Sequence, residues 1–570
     1  MSARLNRLKD HISGKEELTA EDLIDIQAFK LKIVSNMSRT AFQQMRNAFR
    51  NELEISSLYI IVHKLSILSG ILPKWFDCCV NTCIAYTSEF EKDSSCPLCG
   101  ELRFSANGEP RRVFCYLPLI PRLQKYFLNI KTANELGYRA EYTKSSNKEK
   151  PRPTFGDDIP PPLTDDFGDD EDDEDEDEDD RNDFPEEVED HQIGDIFDSE
   201  HYRNLCGRKV TIDGRKMPYR YFSQDTDIAF ATCLDGYLLY KHKRGGPSAT
   251  PILVQLYNLP PEIRTHINRL ICLGVIPGPK SPKLLYTFLY PLDQELVALA
   301  IGIKTFDCRT KEYFDLRAYN LFALGDIIAI EKFLNIKGHN GKCPCRSCQI
   351  TAVATLNKAR TYYVPLARPL PATNTWDPHE LPMRKHEHWE IVTQKIANAP
   401  NKKKKNEIAM HCGIKGMPAL SRVGSMDYAR GIPWDYMHLL LENVIQNLVQ
   451  LWMGRYKGLD SGNEDFIIPD EIWKQIAEES AVSVVEIPAQ FVRALGNPYD
   501  DQINLNAEGW SFWFMFIAPI LLQGRLKAIY YKHFCLLVDI MKMVIQFSLT
   551  HTEIDILEEK IIKWVEEFEQ

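Results

Sequence analysis

The sequence predicts an α/β protein, and three observations carry that expectation. Apolar runs bounded by proline and glycine recur at IAFATCLDGYLLY (228–240), PILVQLYNL (251–259) and RLICLGVIPG (269–278), which is how strands are punctuated. The next run, LLYTFLYPLDQELVALAIG (284–302), is long and repeats its apolar residues at three and four, as a helix does. FDLRAYNLFALGDIIAI (314–330) then reads as a further buried strand ending in Gly325-Asp326, so three strands, a helix and a fourth strand make one α/β unit.

The segments around this unit follow from composition. A chain of 570 residues is too long for one core and predicts several domains. Residues 1–75 repeat apolar positions at helical spacing in TAEDLIDIQAFKLKIVSNMS and SLYIIVHKLSILSGI. A cysteine-rich module is expected over 76–142. Residues 143–195 are Lys-rich, then Pro-rich, then acidic, with too few apolar groups to offset the entropy of ordering, and are expected to be a disordered linker. The first part of the core then covers 196–340, a CxxC-containing insertion 341–425, an amphipathic helix 426–460, and a helical tail 461–570. No internal repeat is visible.

Charge is unevenly spread. The net value of −12 conceals the stretch 165–190, whose nineteen acids and one arginine carry −18, so the remainder is mildly basic at +6. That balance suits a nucleic-acid partner. MSARLNRLKDHISGKEELT lacks the apolar core of a signal peptide, and WSFWFMFIAPILL (510–522) is too short to span a bilayer and contains a proline. An intracellular protein with no membrane partner is expected, and in a reducing compartment its fifteen cysteines are more readily metal ligands than disulfides.

CVNTCIAYTSEFEKDSSCPLCG sets Cys79 and Cys83 in one knuckle and Cys96 and Cys99 in another. Four thiolates at this spacing predict a closed tetrahedral structural zinc site, a zinc ribbon, with Cys78 a spare neighbour. Farther on, HNGKCPCRSC offers Cys345 and Cys348 as a single knuckle for a second zinc. Its remaining ligands stay open among Cys343, His339, His386 and His388, and a hairpin of reduced thiols is the alternative.

The acids carry the catalytic reading. Asp235 ends the first strand of the unit, Asp326 the fourth, and Glu442 stands on a later helix after an insertion. That order is the plan of an RNase H-like fold, and three converging carboxylates can hold two magnesium or manganese ions for phosphoryl transfer, hard oxygen ligands suiting such ions better than thiolates do. In PWDYMHLLLENVIQNLVQLW (433–452), Asp435, His438 and Glu442 are spaced to share one stripe of a helix. Each acid also has an ordinary reading: Asp235 as a turn residue before Gly236, Asp326 as the N-cap of IIAIEKFL, Asp435 as an N-cap, Glu442 as a solvated acid.

From about residue 50 onward the blocks DCCVNTCIAYT…CPLCG, LDGY, YNLPPEIR, VIPGPKSPK, LRAYNLFALGD, KGHNGKCPCRSC, YYVPL, LPMRKHE, GIKG and MHLLLENVIQNLVQLWMGRYKGLD resemble the CACTA-related DDE transposases, specifically the Plavaka-like branch of the Kyakuja–Dileera–Zisupton superfamily. The resemblance implies that Asp235, Asp326 and Glu442 are the DDE acids, and that a CxxC insertion separates the second from the third. His438 would then orient Glu442 or approach the scissile phosphate. It further implies a nuclear protein acting on transposon ends and target DNA, and working as a homo-oligomer. Two departures are visible. The second acid stands in GDIIA where the family has a proline, and similar proteins continue past WVEEFEQ, which implies a copy shortened at its C-terminus. The expected function is thus a DDE transposase or a decayed copy, the alternative being a non-enzymatic, zinc-stabilised nucleic-acid-binding protein of that descent.

Lys402–Lys405 are read as either an import or phosphate-contact patch or a solvated helix start, and Tyr219, Arg220 and Tyr221 mix basic and aromatic character without a diagnostic spacing. No Walker loop, dinucleotide fingerprint or nucleophile elbow is present.

Overall fold

Helix start signals in the N-terminal segment are used as the sequence suggests. Thr19, Ser38 and Ser57 each cap a helix by accepting a backbone N–H, opening α1 (Ala20–Val34), α2 (Arg39–Ala48) and α3 (Leu58–Ser69). The three bury Ala28, Phe42 and Ile61 together, and Lys64 pairs with Asp25 at 2.8 Å. In this computed structural model, residues 18–146, 192–238, 248–338, 341–354, 361–367, 375–456, 463–483, 487–488, 491 and 505–570 are described. Most of the expected acidic linker, and His339, lie outside them.

The central sheet is mixed. Its strands are β1 (Lys74–Asp77), β2 (Val113–Tyr116), β3 (Ile228–Leu234), β4 (Ser248–Leu256), β5 (Ile271–Pro277) and β6 (Ala318–Gly325), in the order β1-β2-β5-β4-β3-β6. β3, β4 and β5 are antiparallel neighbours, and β6 lies parallel to β3. A short strand, Tyr237–Leu238, continues past Asp235-Gly236 to pair with β4. The expected strand, strand, strand, helix, strand sequence is therefore present, with α4 (Leu285–Ile301) between β5 and β6.

Two expectations need refinement. The 314–330 run is not one strand: Glu312–Leu316 closes a hairpin with Ile303–Asp307, β6 follows, and Ile327–Phe333 forms helix α5. The apolar IIAI that resembles strand continuation is half-exposed on that helix, because Asp326 caps it. Second, the cysteine-rich module shares the core's sheet. Tyr116 of β2 pairs with Gly274 of β5, and a side chain at Gly274 would meet the Cys115 carbonyl at 2.5 Å, so glycine permits that approach. Glu295 of α4 secures the junction, accepting from Tyr116 Oη (2.5 Å) and the backbone N–H groups of Leu119 (2.8 Å) and Ile120 (2.9 Å).

Asp227, fully buried at the start of β3, accepts from the Gln224 N–H. Burial raises its carboxyl to about 6 against the pull of Arg139 and Arg317. An acid whose folded pKa is raised stabilises the fold fully only while protonated in both states. Stability should thus decline as pH rises from about 4 to about 6, by roughly 2–3 kcal/mol, and be flat above. Asp227→Asn, which keeps an acceptor without the charge, is expected to remove that decline and raise the melting temperature at pH 7, as pH-dependent thermal unfolding would measure.

The chain divides into two compact units. The first comprises Met1–Ala140, Lys209–Gln349 and Met383–Pro433; the second Glu141–Arg208, Ile350–Pro382 and Trp434–Gln570. The sheet and both cysteine clusters belong to the first. The core of the second gathers Ile445, Leu448, Trp452, Trp473, Trp513 and Phe534, among others, so the apolar 510–522 run is core. No helix among the described residues is long and apolar enough to cross a membrane.

Candidate functional site

The two sheet acids are brought level by a bulge. In the parallel β3–β6 pair, Asn320 faces Phe230, but beyond the shift at Leu321, Phe322 faces Ala231, and the pairing ends with Gly325 opposite Leu234. Asp326 and Asp235 are the next residue on each strand. Without the extra residue Asp235 would stand level with Gly325, and the carboxylates would point to opposite faces. The bulge is held by hydrogen bonds: Thr232 Oγ1 donates to Asn320 Oδ1 (3.0 Å), Ser425 Oγ to the Asn320 carbonyl (2.8 Å), and the Ala323 N–H to the Gly431 carbonyl (3.0 Å).

Asp235 is exposed and Asp326 half-buried. Asp326 Oδ1 accepts the Ala329 N–H at 2.6 Å, so the capping role read from the sequence is real and also fixes the carboxylate's rotamer. A cavity of about 190 Å³ opens beside it, lined by Gly236, Ser248, Thr250, Ser281, Asp326 and Lys332, with apolar neighbours. Gly325 lets the strands close here, since a Cβ would lie 2.3 Å from the Leu234 carbonyl oxygen. Gly325→Ala is expected to cost about 1–3 kcal/mol and to splay the acid pair, lowering divalent-metal affinity measured by calorimetry more than a core Ile→Val change would.

In the second unit, Asp435 accepts from the N–H groups of Met437 (2.9 Å) and His438 (3.2 Å), capping as expected. The helix it opens departs from expectation: Met437–Val444, here α6, is π-helical before α7 (Ile445–Trp452) resumes ordinary winding. Wider turns of this kind recur at functional sites. His438 stands between two acids, Nδ1 2.8 Å from Asp435 Oδ2 and Nε2 3.9 Å from Glu442 Oε2. Glu442 is exposed.

The first cysteine cluster closes as its spacing predicts. The sulfurs of Cys79, Cys83, Cys96 and Cys99 lie within 4.8 Å of one another, near the roughly 3.8 Å that a tetrahedron of ~2.3 Å zinc–sulfur bonds requires, so they fit a zinc ion. Against the burial that opposes ionisation, the Glu101 N–H and the side chains of Asn81, Cys79 and Cys96 draw the Cys99 thiol down to about 6. Cys78 stays outside the group, its thiol pushed by burial to about 12. The cluster is also a brace. The Cys83 carbonyl accepts from the Lys283 (3.2 Å) and Leu284 (3.0 Å) N–H groups, Thr82 Oγ1 donates to the Pro277 carbonyl, and the Ala85 N–H to Thr287 Oγ1. The braced 277–287 segment carries Ser281 into the cavity wall.

At the second knuckle, Cys345 Sγ accepts from the Ser347 and Cys348 N–H groups, both at 3.3 Å, and its thiol is lowered to about 6, first by Cys348. No third donor is gathered with this pair among the described residues. Instead the buried Arg384 guanidinium ties the loops, donating to the carbonyls of Cys345 (3.0 Å), Cys412 (2.9 Å) and Cys343 (3.4 Å). His386 stacks on Tyr428 with Nδ1 accepting its N–H, His388 Nδ1 accepts from the Lys385 N–H, and Cys343 Sγ donates to the His411 carbonyl. Tyr219 and Tyr221 are internal: Tyr219 Oη donates to the Ala300 carbonyl, while Tyr221 Oη accepts from the Thr211 N–H. Lys402–Lys405 open an exposed helical turn capped by Asn401.

Lys332 and Ser281 were not singled out by the sequence. Neither has a motif spacing, and only the fold brings them beside Asp326.

Residues 211–409, about a third of the chain, which contain Asp235, Asp326 and the Cys345–Cys348 knuckle, match the family model described as Transposase family tnp2. This similarity supports a transposase-derived protein. None of the curated proteins matches the chain.

Proposed function

We propose that this chain is a DDE-type DNA transposase of the CACTA-related group, Plavaka-like, or a decayed copy of one. The observation that carries the reading is the level placement of Asp235 and Asp326, one residue past the last register partners of two adjacent parallel strands. Three antiparallel strands with the fourth parallel to the first is the RNase H-like plan, and the tnp2 similarity spans both acids.

In this reading the third acid is Glu442. The donors are hard carboxylate oxygens, which fit Mg2+ or Mn2+. Such ions, when bound, acidify water and stabilise charge on the phosphate. The protein's own part is positional. Asp326 is fixed by its cap, Asp235 by the strand register, and His438 takes or gives a proton at Nε2 beside Glu442. Water attacks the phosphorus at the transposon end, and the bond to the 3′ oxygen breaks with protonation of that oxygen; the freed 3′-hydroxyl then loses its proton as it attacks a target phosphodiester, whose own 3′ oxygen leaves and is protonated. The zinc ribbon is structural. Lys402–Lys405 serve nuclear import or phosphate contact, and the active form is a homo-oligomer.

The test is nicking of DNA duplexes bearing the element's terminal sequences by the purified chain, in Mg2+ or Mn2+. Nicking abolished by Asp235→Ala and Asp326→Ala supports the proposal, and nicking indifferent to both overturns it. DNA binding without nicking by the wild type would leave the non-enzymatic, zinc-stabilised binding protein.

A further inference from the structure

Lys332 is placed where the expected acids alone do not account for it. It projects from α5 into the cavity that holds Asp326, and its ammonium donates to Ser281 Oγ, a hydroxyl and not a carboxylate. Burial holds its pKa below the ordinary value, opposed by Glu331 and Asp326 and reinforced by Lys415. The Lys332 ammonium is thus half-buried in a cavity that also holds Asp326, with a hydroxyl as its hydrogen-bond partner. The remaining wall is hydroxyl-rich, with Ser248 and Thr250 from β4 and Ser281 from the braced segment, and Lys280 and Lys283 flank that serine.

We propose that Lys332, with Ser281, forms a phosphodiester-binding subsite that seats the DNA backbone next to Asp326. This rests on the reading of the protein as a DNA-acting transposase, and deepens it by naming the residues that position the strand. An ammonium held by a hydroxyl can exchange that partner for a phosphate oxygen without losing a salt bridge, and the serine hydroxyl can donate to the same phosphate.

The experiment measures binding of a short fluorescent DNA duplex by the full chain across a salt series, without divalent metal. Lys332→Gln is expected to weaken binding about three- to tenfold at ~0.1 M salt and to flatten the log–log salt slope by about one. Lys332→Arg should restore most of the affinity, and unchanged thermal unfolding would exclude misfolding as the cause. Asp326→Asn should bind no more weakly than wild type. An unchanged affinity and slope in Lys332→Gln overturns the subsite, as does an equal loss in Lys332→Arg. The outcomes separate from those of the catalytic reading: lysine-dependent binding with no nicking by any form sinks the transposase activity alone, while lysine-independent binding with Asp326-dependent nicking sinks the subsite alone.

Discussion

Asp326→Asn is expected to leave the chain folded and abolish metal-dependent nicking, whereas Asp326→Ala should abolish nicking and lower stability as well. The difference follows from the two duties of one carboxylate. As N-cap, Asp326 accepts the Ala329 N–H through Oδ1, a bond that asparagine reproduces and alanine cannot. Loss of such a cap costs about 1 kcal/mol. As the metal ligand of the proposed function its charge would be irreplaceable, because an amide oxygen neither neutralises a divalent cation nor competes well with water for it. Losing a ligand that supports several kcal/mol of charge stabilisation corresponds to a rate loss of roughly a thousandfold or more. Nicking assays beside thermal unfolding would separate the two. Wild-type nicking by the asparagine variant would reduce Asp326 to a cap.

Much of this site is legible in the sequence, for identifiable reasons. Asp235 and Asp326 end strongly apolar runs, and glycine marks each end, so the strand ends declare themselves. The cysteine knuckles are local, and local spacing fixes them. What was hidden is register. The bulge at Leu321 depends on Thr232, Ser425 and Gly431, which are remote in sequence, and it alone decides whether the two acids share a face. The π-helical turn was hidden too. Asp435, His438 and Glu442 suit an ordinary helical stripe, but the histidine bridges its acids across wider turns. IIAI after Asp326 has no period of its own, so the sequence leaves a continued strand and a capped helix both open, and the cap decides for the helix. Lys332 could not be found at all, since its meaning comes from Ser281 across the cavity.

Removing the zinc should have the largest effect on stability, and it should reach the cavity. The chain as purified is expected to hold one tightly bound zinc ion per molecule. Replacing that ion by Co2+ should give thiolate charge-transfer absorption, which Cys83→Ser or Cys96→Ser would abolish. A structural zinc site contributes on the order of 10 kcal/mol of binding free energy to the fold that creates it, so chelation or either substitution should melt the ribbon. The ribbon cannot melt alone. Its β2 pairs with β5, Glu295 ties Leu119 and Ile120 to α4, and the Cys83 carbonyl holds the Lys283 and Leu284 N–H groups. The 277–287 segment would loosen with it, releasing Ser281 from Lys332 and opening the wall opposite Asp326. Loss of zinc should therefore raise hydrogen exchange in 277–287 and impair nicking, although no thiolate touches the acids. Protection that persists there in a zinc-free, folded chain would mean that the sheet holds the cavity unaided and that the ribbon serves a separate purpose.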